Sequence, residues 1–90
     1  MSKPEVVTVA EQLGHAIRVQ RVRLRLTQHE LAERAGVERT YVSDLERGVR
    51  APGLEMIARL STALECSLSE LFAGIKVPPH KGRLRQKKSG

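Results

Sequence analysis

The chain is poor in aromatic residues and in cysteine. Its 90 residues include one Tyr, one Phe, one Cys and no Trp, so aliphatic side chains must form the core. A single cysteine excludes an intramolecular disulfide and indicates a reducing compartment. A domain of this length has a small core, and such domains often gain stability by oligomerising.

Long apolar segments are also missing. The apolar residues near the N-terminus, Val6, Val7 and Val9, are too few for the apolar region of a signal peptide. No uninterrupted apolar run approaches the roughly 20 residues that a membrane-spanning helix needs. We therefore expect a soluble, cytoplasmic protein with no membrane contact.

The positive charge is unevenly distributed along the chain. The formal net charge is +6, from 16 basic and 10 acidic residues. From Lys76 onward the chain carries 6 of the basic residues and none of the acidic ones, so residues 1–75 are formally neutral. The net charge therefore says little about a folded domain, and any case for nucleic-acid binding must come from motifs.

Three segments begin with a Thr or Ser that is followed three residues later by a Glu. In such a capping box the hydroxyl accepts a hydrogen bond from the first turn, and the carboxylate accepts one from the cap's own N–H. The pairs are Thr8 with Glu11, Thr27 with Glu30, and Ser67 with Glu70. Since each pair precedes an amphipathic stretch, the pattern predicts three helix starts.

Hydrophobic periodicity and the positions of glycine predict an all-α domain, a compact five-helix bundle over residues 8–75. The predicted helices are Val9–Arg25, Gln28–Ala35, Glu38–Arg47, Gly53–Leu64 and Leu68–Gly74. Inward positions are assigned to Leu13, Ile17 and Leu24 in the first helix and to Leu54, Ile57, Leu60 and Leu64 in the fourth. Residues 1–7 form an N-terminal extension. Residues 76–90 form a basic tail without periodicity, which we expect to be disordered.

The second and third predicted helices are separated by a very short turn at Gly36 and Val37. A short turn containing Gly between two short helices is typical of a helix-turn-helix. Ala32 is small where the two helices must lie close together. Short or hydrogen-bonding side chains fall on the solvent face of the third helix, toward the end where a recognition helix meets base edges. The pattern therefore predicts a DNA-binding unit.

Residues 13–72 resemble the Cro/cI-type helix-turn-helix family, also called XRE-type. The matching stretches include Leu26-Thr27-Gln28-His29-Glu30-Leu31-Ala32, Ala35-Gly36-Val37, Leu45-Glu46-Arg47-Gly48 and Ser67-Leu68-Ser69-Glu70-Leu71-Phe72. The resemblance implies a lambda-repressor-like fold that binds operator DNA as a dimer, within a prokaryotic cytoplasm. The run Arg39-Thr40-Tyr41-Val42-Ser43 is most similar to the small controller proteins of restriction–modification systems.

Some positions depart from that family pattern. Arg25 stands where the family often has Gly near the end of the first helix, and Glu65 replaces the usual Gly after the fourth. Gln20 replaces an apolar residue, and Glu38 stands where a Ser or Thr cap is common. These departures affect the expected helix boundaries rather than the fold.

The resemblance and the residue types together indicate eight candidate DNA contacts. Gln28 would bond a phosphate and brace the recognition helix, and Arg39 would pair with guanine. Thr40 and Ser43 would contact base edges, while Asp44 would accept from cytosine or orient Arg39. Three further residues are assigned to phosphates: Tyr41, Arg47 and Arg50. Each has an alternative as a plain surface residue, and Tyr41 as a cover for the edge of the domain.

Two other groups are assigned structural roles. The resemblance implies that Arg21 and Glu46 form an ion pair between the first and third helices. The apolar residues near the end of the domain, Leu68, Leu71, Phe72 and Ile75, exceed what one short terminal helix can bury. They form either a lid on the domain or part of a homodimer interface, and we expect the interface.

No residue pattern indicates catalysis, a cofactor or a small-molecule ligand. His15, His29 and His80 share no metal-ligand spacing with one another or with Cys66, so we expect no metal site. The leading hypothesis is a transcriptional regulator that binds double-stranded DNA at a palindromic operator, as a repressor or an autoregulator. The alternative is an antitoxin-like interaction module whose tail covers a partner toxin and which also autoregulates through its helix-turn-helix. Such tails usually carry apolar anchors, and this one has only Val77 and Leu84.

Overall fold

The computed structural model describes residues 7–77, and the regular secondary structure of this part of the chain is all helix. Its five helices are α1 (Val9–Arg23), α2 (Gln28–Ala35), α3 (Arg39–Arg47), α4 (Leu54–Ala63) and α5 (Leu68–Phe72). The predicted all-α, five-helix fold is confirmed. The predicted N-terminal extension, except Val7, and the predicted tail, except Lys76 and Val77, lie outside the described residues.

Capping boxes open α1, α2 and α5, as the sequence predicts. At α2 the Glu30 N–H donates to Thr27 Oγ1 over 3.0 Å, and the Thr27 N–H donates to Glu30 Oε1 over 2.8 Å. The Thr27 N–H holds the pKa of Glu30 below its ordinary value, because it stabilises the charged carboxylate. Local hydrogen bonds therefore set these three helix starts.

Several helices were predicted one or two residues too long. α1 ends at Arg23 because Leu24 caps it and Arg25 adopts a left-handed conformation with φ of 60°. Glu65, after α4, does the same with φ of 55°. Both residues occupy positions where glycine would carry no steric cost, whereas a residue with a Cβ is strained there by roughly 1–2 kcal/mol.

The remaining boundary errors lie at the starts of α3 and α4 and at the end of α5. Glu38 and Gly53 are N-caps with extended main chain rather than first helical residues. α5 ends at Phe72, two residues earlier than predicted. Hydrophobic periodicity carries little information about the exact residue at which a helix starts or stops.

The core is built from aliphatic side chains of all five helices. It consists of Leu13, Ile17, Leu31, Ala32, Ala35, Val42, Leu45, Leu60, Ala63, Leu64 and Leu71. Leu24 and Ile57 are half-buried, but the inward assignment of Leu54 was wrong, because its side chain is 76% exposed. Leu54 is the first residue of α4, where the chain has only just left an exposed loop and the helix has not yet reached the core.

Gly14 lets α1 lie directly against the main chain of α3. A Cβ atom at this position would overlap the carbonyl oxygen of Leu45 and lie 2.8 Å from that of Glu46. Gly48, which ends α3 with φ of +75°, lies similarly close to Glu11 of α1. The position of α3 against α1 therefore depends on the absence of a Cβ atom at Gly14 and Gly48.

Gln12 ties the two ends of the described chain to the same point on α1. Its side-chain amide donates to the carbonyl of Lys76 over 2.7 Å and to that of Val7 over 3.2 Å. Its amide oxygen accepts from the Lys76 N–H over 2.7 Å.

Among residues 7–77, no helix combines the length and hydrophobicity that a membrane span requires.

We predict that Gly14→Ala destabilises the domain by about 3 kcal/mol, because the new methyl group forces α1 away from main-chain atoms that cannot move independently. This loss exceeds the roughly 0.5–1 kcal/mol by which Ala is favoured over Gly inside a helix. Urea unfolding measures the loss in free energy of unfolding. The matched control is Gly74→Ala, since a Cβ there meets nothing within 4 Å. Equal stability of both variants would contradict the close approach.

Candidate nucleic-acid interface

The turn between α2 and α3 is fixed by main-chain hydrogen bonds. Gly36 is left-handed with φ of 71°, and the Val37 N–H donates to the carbonyl of Ala32 over 2.9 Å. This closes the last turn of α2 while turning the chain sharply into α3. The short connection leaves α3 crossed against α2 with one side buried, through Val42 and Leu45, and the other side free.

The free side of α3 carries the predicted base-reading residues. Arg39 and Thr40 are exposed, and Ser43 is half-exposed one turn further on. All three lie in the first half of the helix, the half that enters the major groove in helix-turn-helix proteins. The structure therefore brings these three candidates together on one accessible surface.

A chain of hydrogen bonds links α1, α2 and α3 beneath this surface. Arg21 of α1 donates to Glu46 of α3 through Nε over 2.6 Å and through Nη2 over 3.0 Å. The amide of Gln28 donates to Glu46 Oε1 over 3.0 Å. Arg39 Nη1 then donates to Gln28 Oε1 over 3.2 Å. The first residue of α2 is thus joined to both ends of α3.

The Arg21–Glu46 pair is shielded from water. The two side chains are 12% and 5% exposed, and Arg21 also donates to the carbonyl of Leu26 over 2.7 Å. The pKa of Arg21 is raised, mainly by its hydrogen bond to Glu46, and burial offsets part of this effect. A bidentate arginine–carboxylate pair with further hydrogen bonds meets the conditions under which a buried ion pair is tolerated.

A second cluster surrounds Asp44 at the end of α3. Asp44 Oδ1 accepts from Arg47 Nη2 over 2.8 Å, and Asp44 Oδ2 lies 3.9 Å from Arg50 Nε. The Arg50 guanidinium lies over the Tyr41 ring, 4.8 Å from its centre. Of the two interpretations of Asp44, acceptor from cytosine or partner of Arg39, this structure does not contain the second. Asp44 pairs with Arg47 and Arg50, and Arg39 donates to Gln28 instead.

The predicted dimer residues differ in accessibility. Leu68 is 44% exposed, whereas Phe72 and Ile75 are half-buried against the core. Leu71 is only 1% exposed and belongs to the protomer's own core. The assignment of Leu71 to a contact surface was wrong, because α5 turns this side chain into the core. The accessible part of the apolar group is Leu68, with the half-buried Phe72 and Ile75.

Sequence reasoning missed two contributors to the site. Gly14 sets the distance between α1 and α3, and its position inside an amphipathic helix was a signal for a close main-chain approach. The family resemblance had indicated a bracing role for Gln28, but Glu46 as its partner had no signal, because the two residues stand 18 positions apart and their side chains meet only in the folded domain.

The described residues contain no group of three or more His, Cys, Asp and Glu side chains that could hold a metal ion. Cys66 is half-buried next to the core, and burial raises the pKa of its thiol above the ordinary value. A thiol in such surroundings is a weak nucleophile, because the thiolate is the reactive form.

Comparison with known proteins agrees with this geometry. A helix-turn-helix family profile matches residues 17–71, and the chain belongs to that family, of the XRE (Cro/cI) type. An uncharacterized HTH-type transcriptional regulator of Mycobacterium tuberculosis is 37% identical over 74 residues, which cover 80% of this chain and 53% of that protein. The chain spans about half the length of the curated relatives it matches.

Two solved structures share the fold. The restriction–modification controller protein C.AhdI from Aeromonas hydrophila is 38% identical with a TM-score of 0.68, covering 70% of this chain and 96% of that chain. The clp gene regulator ClgR from Corynebacterium glutamicum is 36% identical with a TM-score of 0.73, covering 78% of this chain and 73% of that chain. The predicted family is confirmed, and these relatives are regulators rather than enzymes.

We predict that Glu46→Gln lowers the free energy of unfolding by about 3 kcal/mol, because it leaves Arg21 charged and shielded without a counter-charge. Glu65→Gln is the matched control. Its partner Arg34 lies at 3.1 Å, but the two side chains are 62% and 42% exposed, and such pairs contribute only about 0.2–1 kcal/mol. Thermal and urea unfolding of both variants measure the difference, and equal losses would mean that shielding of the α1–α3 pair has no energetic effect.

Proposed function

We propose that this chain is a transcriptional regulator that binds a palindromic operator in double-stranded DNA as a homodimer and acts as a repressor or autoregulator. The observation that carries the proposal is the accessible N-terminal half of α3, which presents Arg39, Thr40 and Ser43 while α1 and α2 hold it from behind. Family membership and the regulators among its relatives support the same function.

Arg39 is the proposed base-reading residue. Its guanidinium uses one N–H in the bond to Gln28, which leaves four further donors for DNA. The guanidinium fork matches the two acceptors that guanine presents in the major groove. We assign Thr40 and Ser43 to neighbouring base edges, and Gln28 to bracing Arg39 and binding a phosphate.

Arg47 and Arg50 are the proposed phosphate contacts. Both lie beyond the base-reading half of α3, with side chains 63% and 53% exposed. Contacts to phosphates position a protein on the duplex without reading sequence. Tyr41 supports Arg50 through its ring, which favours an edge role for the ring and leaves its hydroxyl for a phosphate contact.

The role of Arg39 has a direct test. We expect Arg39→Ala to lose about 1–3 kcal/mol of discrimination at one base pair of each half-site, because one bidentate base contact disappears. Arg50→Ala, the matched control, removes a phosphate contact and should weaken all sequences alike. The measurement is a binding titration against a duplex selected by the wild-type protein from a random pool, and against its single-base variants. If Arg39→Ala weakens all sequences alike and Arg50→Ala changes the base preference, the two assigned roles must be exchanged.

The dimer is tested separately. We expect Leu68→Ser to shift the protein toward the monomer in sedimentation equilibrium without unfolding it, because Leu68 is accessible at the apolar end of the domain. Leu54→Ser is the matched control, since Leu54 is even more exposed but lies at the start of α4. The two DNA half-sites should lie about 34–36 Å apart, one helical turn. A wild-type monomer at high concentration, with and without DNA, would contradict the dimer.

A further inference from the structure

Asp44 places a negative charge on a surface that is proposed to meet DNA phosphates. One of its carboxylate oxygens accepts from Arg47 over 2.8 Å, and the other lies 3.9 Å from Arg50. Both proposed phosphate contacts are therefore paired with the same carboxylate in the free protein. Because both oxygens face cations, the carboxylate is poorly placed to accept a hydrogen bond from cytosine.

Folding stability does not account for this arrangement. The Asp44 side chain is 31% exposed, and its two partners are more exposed still. Ion pairs in such surroundings contribute little to stability, because water screens the charges and holding the long side chains costs entropy. The effect of Asp44 must be sought in the bound state.

Asp44 acts against binding to DNA of arbitrary sequence. That binding depends on arginine and lysine side chains that replace counterions along the phosphate backbone. A carboxylate beside two of these arginines neutralises part of their charge and repels an approaching phosphate. Non-operator DNA offers no defined geometry that would compensate for this loss.

On an operator, the same pairing has a compensating benefit. Side chains that are already ordered lose less conformational entropy when they bind. Asp44 holds Arg47 from one side, and Asp44 and Tyr41 hold Arg50 from two sides. When α3 is seated by its base contacts, these arginines meet phosphates at fixed positions, so their prior order offsets the repulsion.

We propose that Asp44 is a positioning residue that sharpens sequence selectivity: it restrains Arg47 and Arg50 and so suppresses binding to non-operator DNA. The inference rests on the proposed function and names a residue that limits affinity rather than supplying it. Asp44 acts through its two arginine partners and reads no base itself.

The test is Asp44→Asn, which preserves the shape of the side chain and removes its charge. Affinity is measured over a range of salt concentrations for a random-sequence duplex and for the duplex selected by the wild-type protein. We expect random-sequence binding to tighten about fivefold at low salt, the factor given by one unit-charge interaction at about 4 Å in water. Its log–log salt slope should steepen by about one unit for each arginine released. Binding to the selected duplex should change less, so the selectivity ratio falls.

Glu38→Gln is the matched control, because it removes one negative charge next to α3 from a side chain that makes no cap hydrogen bond. It should tighten both duplexes by a similar factor and leave the selectivity ratio unchanged. If the selectivity ratio of Asp44→Asn also stays unchanged, the proposal is overturned. Weaker binding of this variant to the selected duplex alone would overturn it too, because Asp44 would then be a base contact. A large fall in the thermal midpoint would overturn it as well, because Asp44 would then be a folding residue. A wild-type protein that binds neither duplex would instead contradict the proposed function.

Discussion

The carboxylate of Glu46 is the interaction on which the orientation of the site depends. Glu46 lies in the last turn of α3. Its carboxylate accepts two hydrogen bonds from Arg21 of α1 and a third from Gln28 of α2. Since Gln28 in turn accepts from Arg39, one shielded group connects the far end of α3 to its first residue through a neighbouring helix. A side chain that reads bases must be held by packed neighbours to be selective. For Arg39, the proposed base-reading residue, a polar network provides that support, next to the main-chain contact at Gly14.

Much of the helical framework was predictable because its signals are local. The capping boxes at Thr8, Thr27 and Ser67 and the glycines at 36 and 48 act within a few residues of where they stand, so the sequence shows them directly. Where a residue departs from these local signals, the predicted end of the helix was wrong by one or two residues. Arg25 and Glu65 take the left-handed conformation of an absent glycine, and nothing in their own chemistry indicates it. The left-handed residue lets the Leu26 N–H donate to the carbonyl of Arg21 over 3.1 Å and the Cys66 N–H donate to that of Ser61 over 3.0 Å, which closes each helix end.

The candidate site was predictable in its membership and much less in its pairing. Helical periodicity places Arg39, Thr40 and Ser43 on the free face of α3, and family resemblance suggested the Arg21–Glu46 pair. The pairing of charges depends on side-chain reach in three dimensions, and the sequence did not indicate that Asp44 pairs with Arg47 and Arg50. Leu71 failed for a similar reason, since an apolar residue on a short helix can face the core or a partner with the same sequence pattern.

The hydrogen bonds of Gln12 have a consequence for domain architecture. Successive residues of an α-helix are rotated by roughly 100°, so Gln12 and Gly14 point in nearly opposite directions from α1. Gly14 faces α3, and Gln12 therefore holds Val7 and Lys76 on the side of α1 turned away from it. Both ends of the domain leave from neighbouring points there, as is common in domains that accept fusion or circular permutation. Additional modules joined at either end would start from these neighbouring points, so this unit suits combination with other domains.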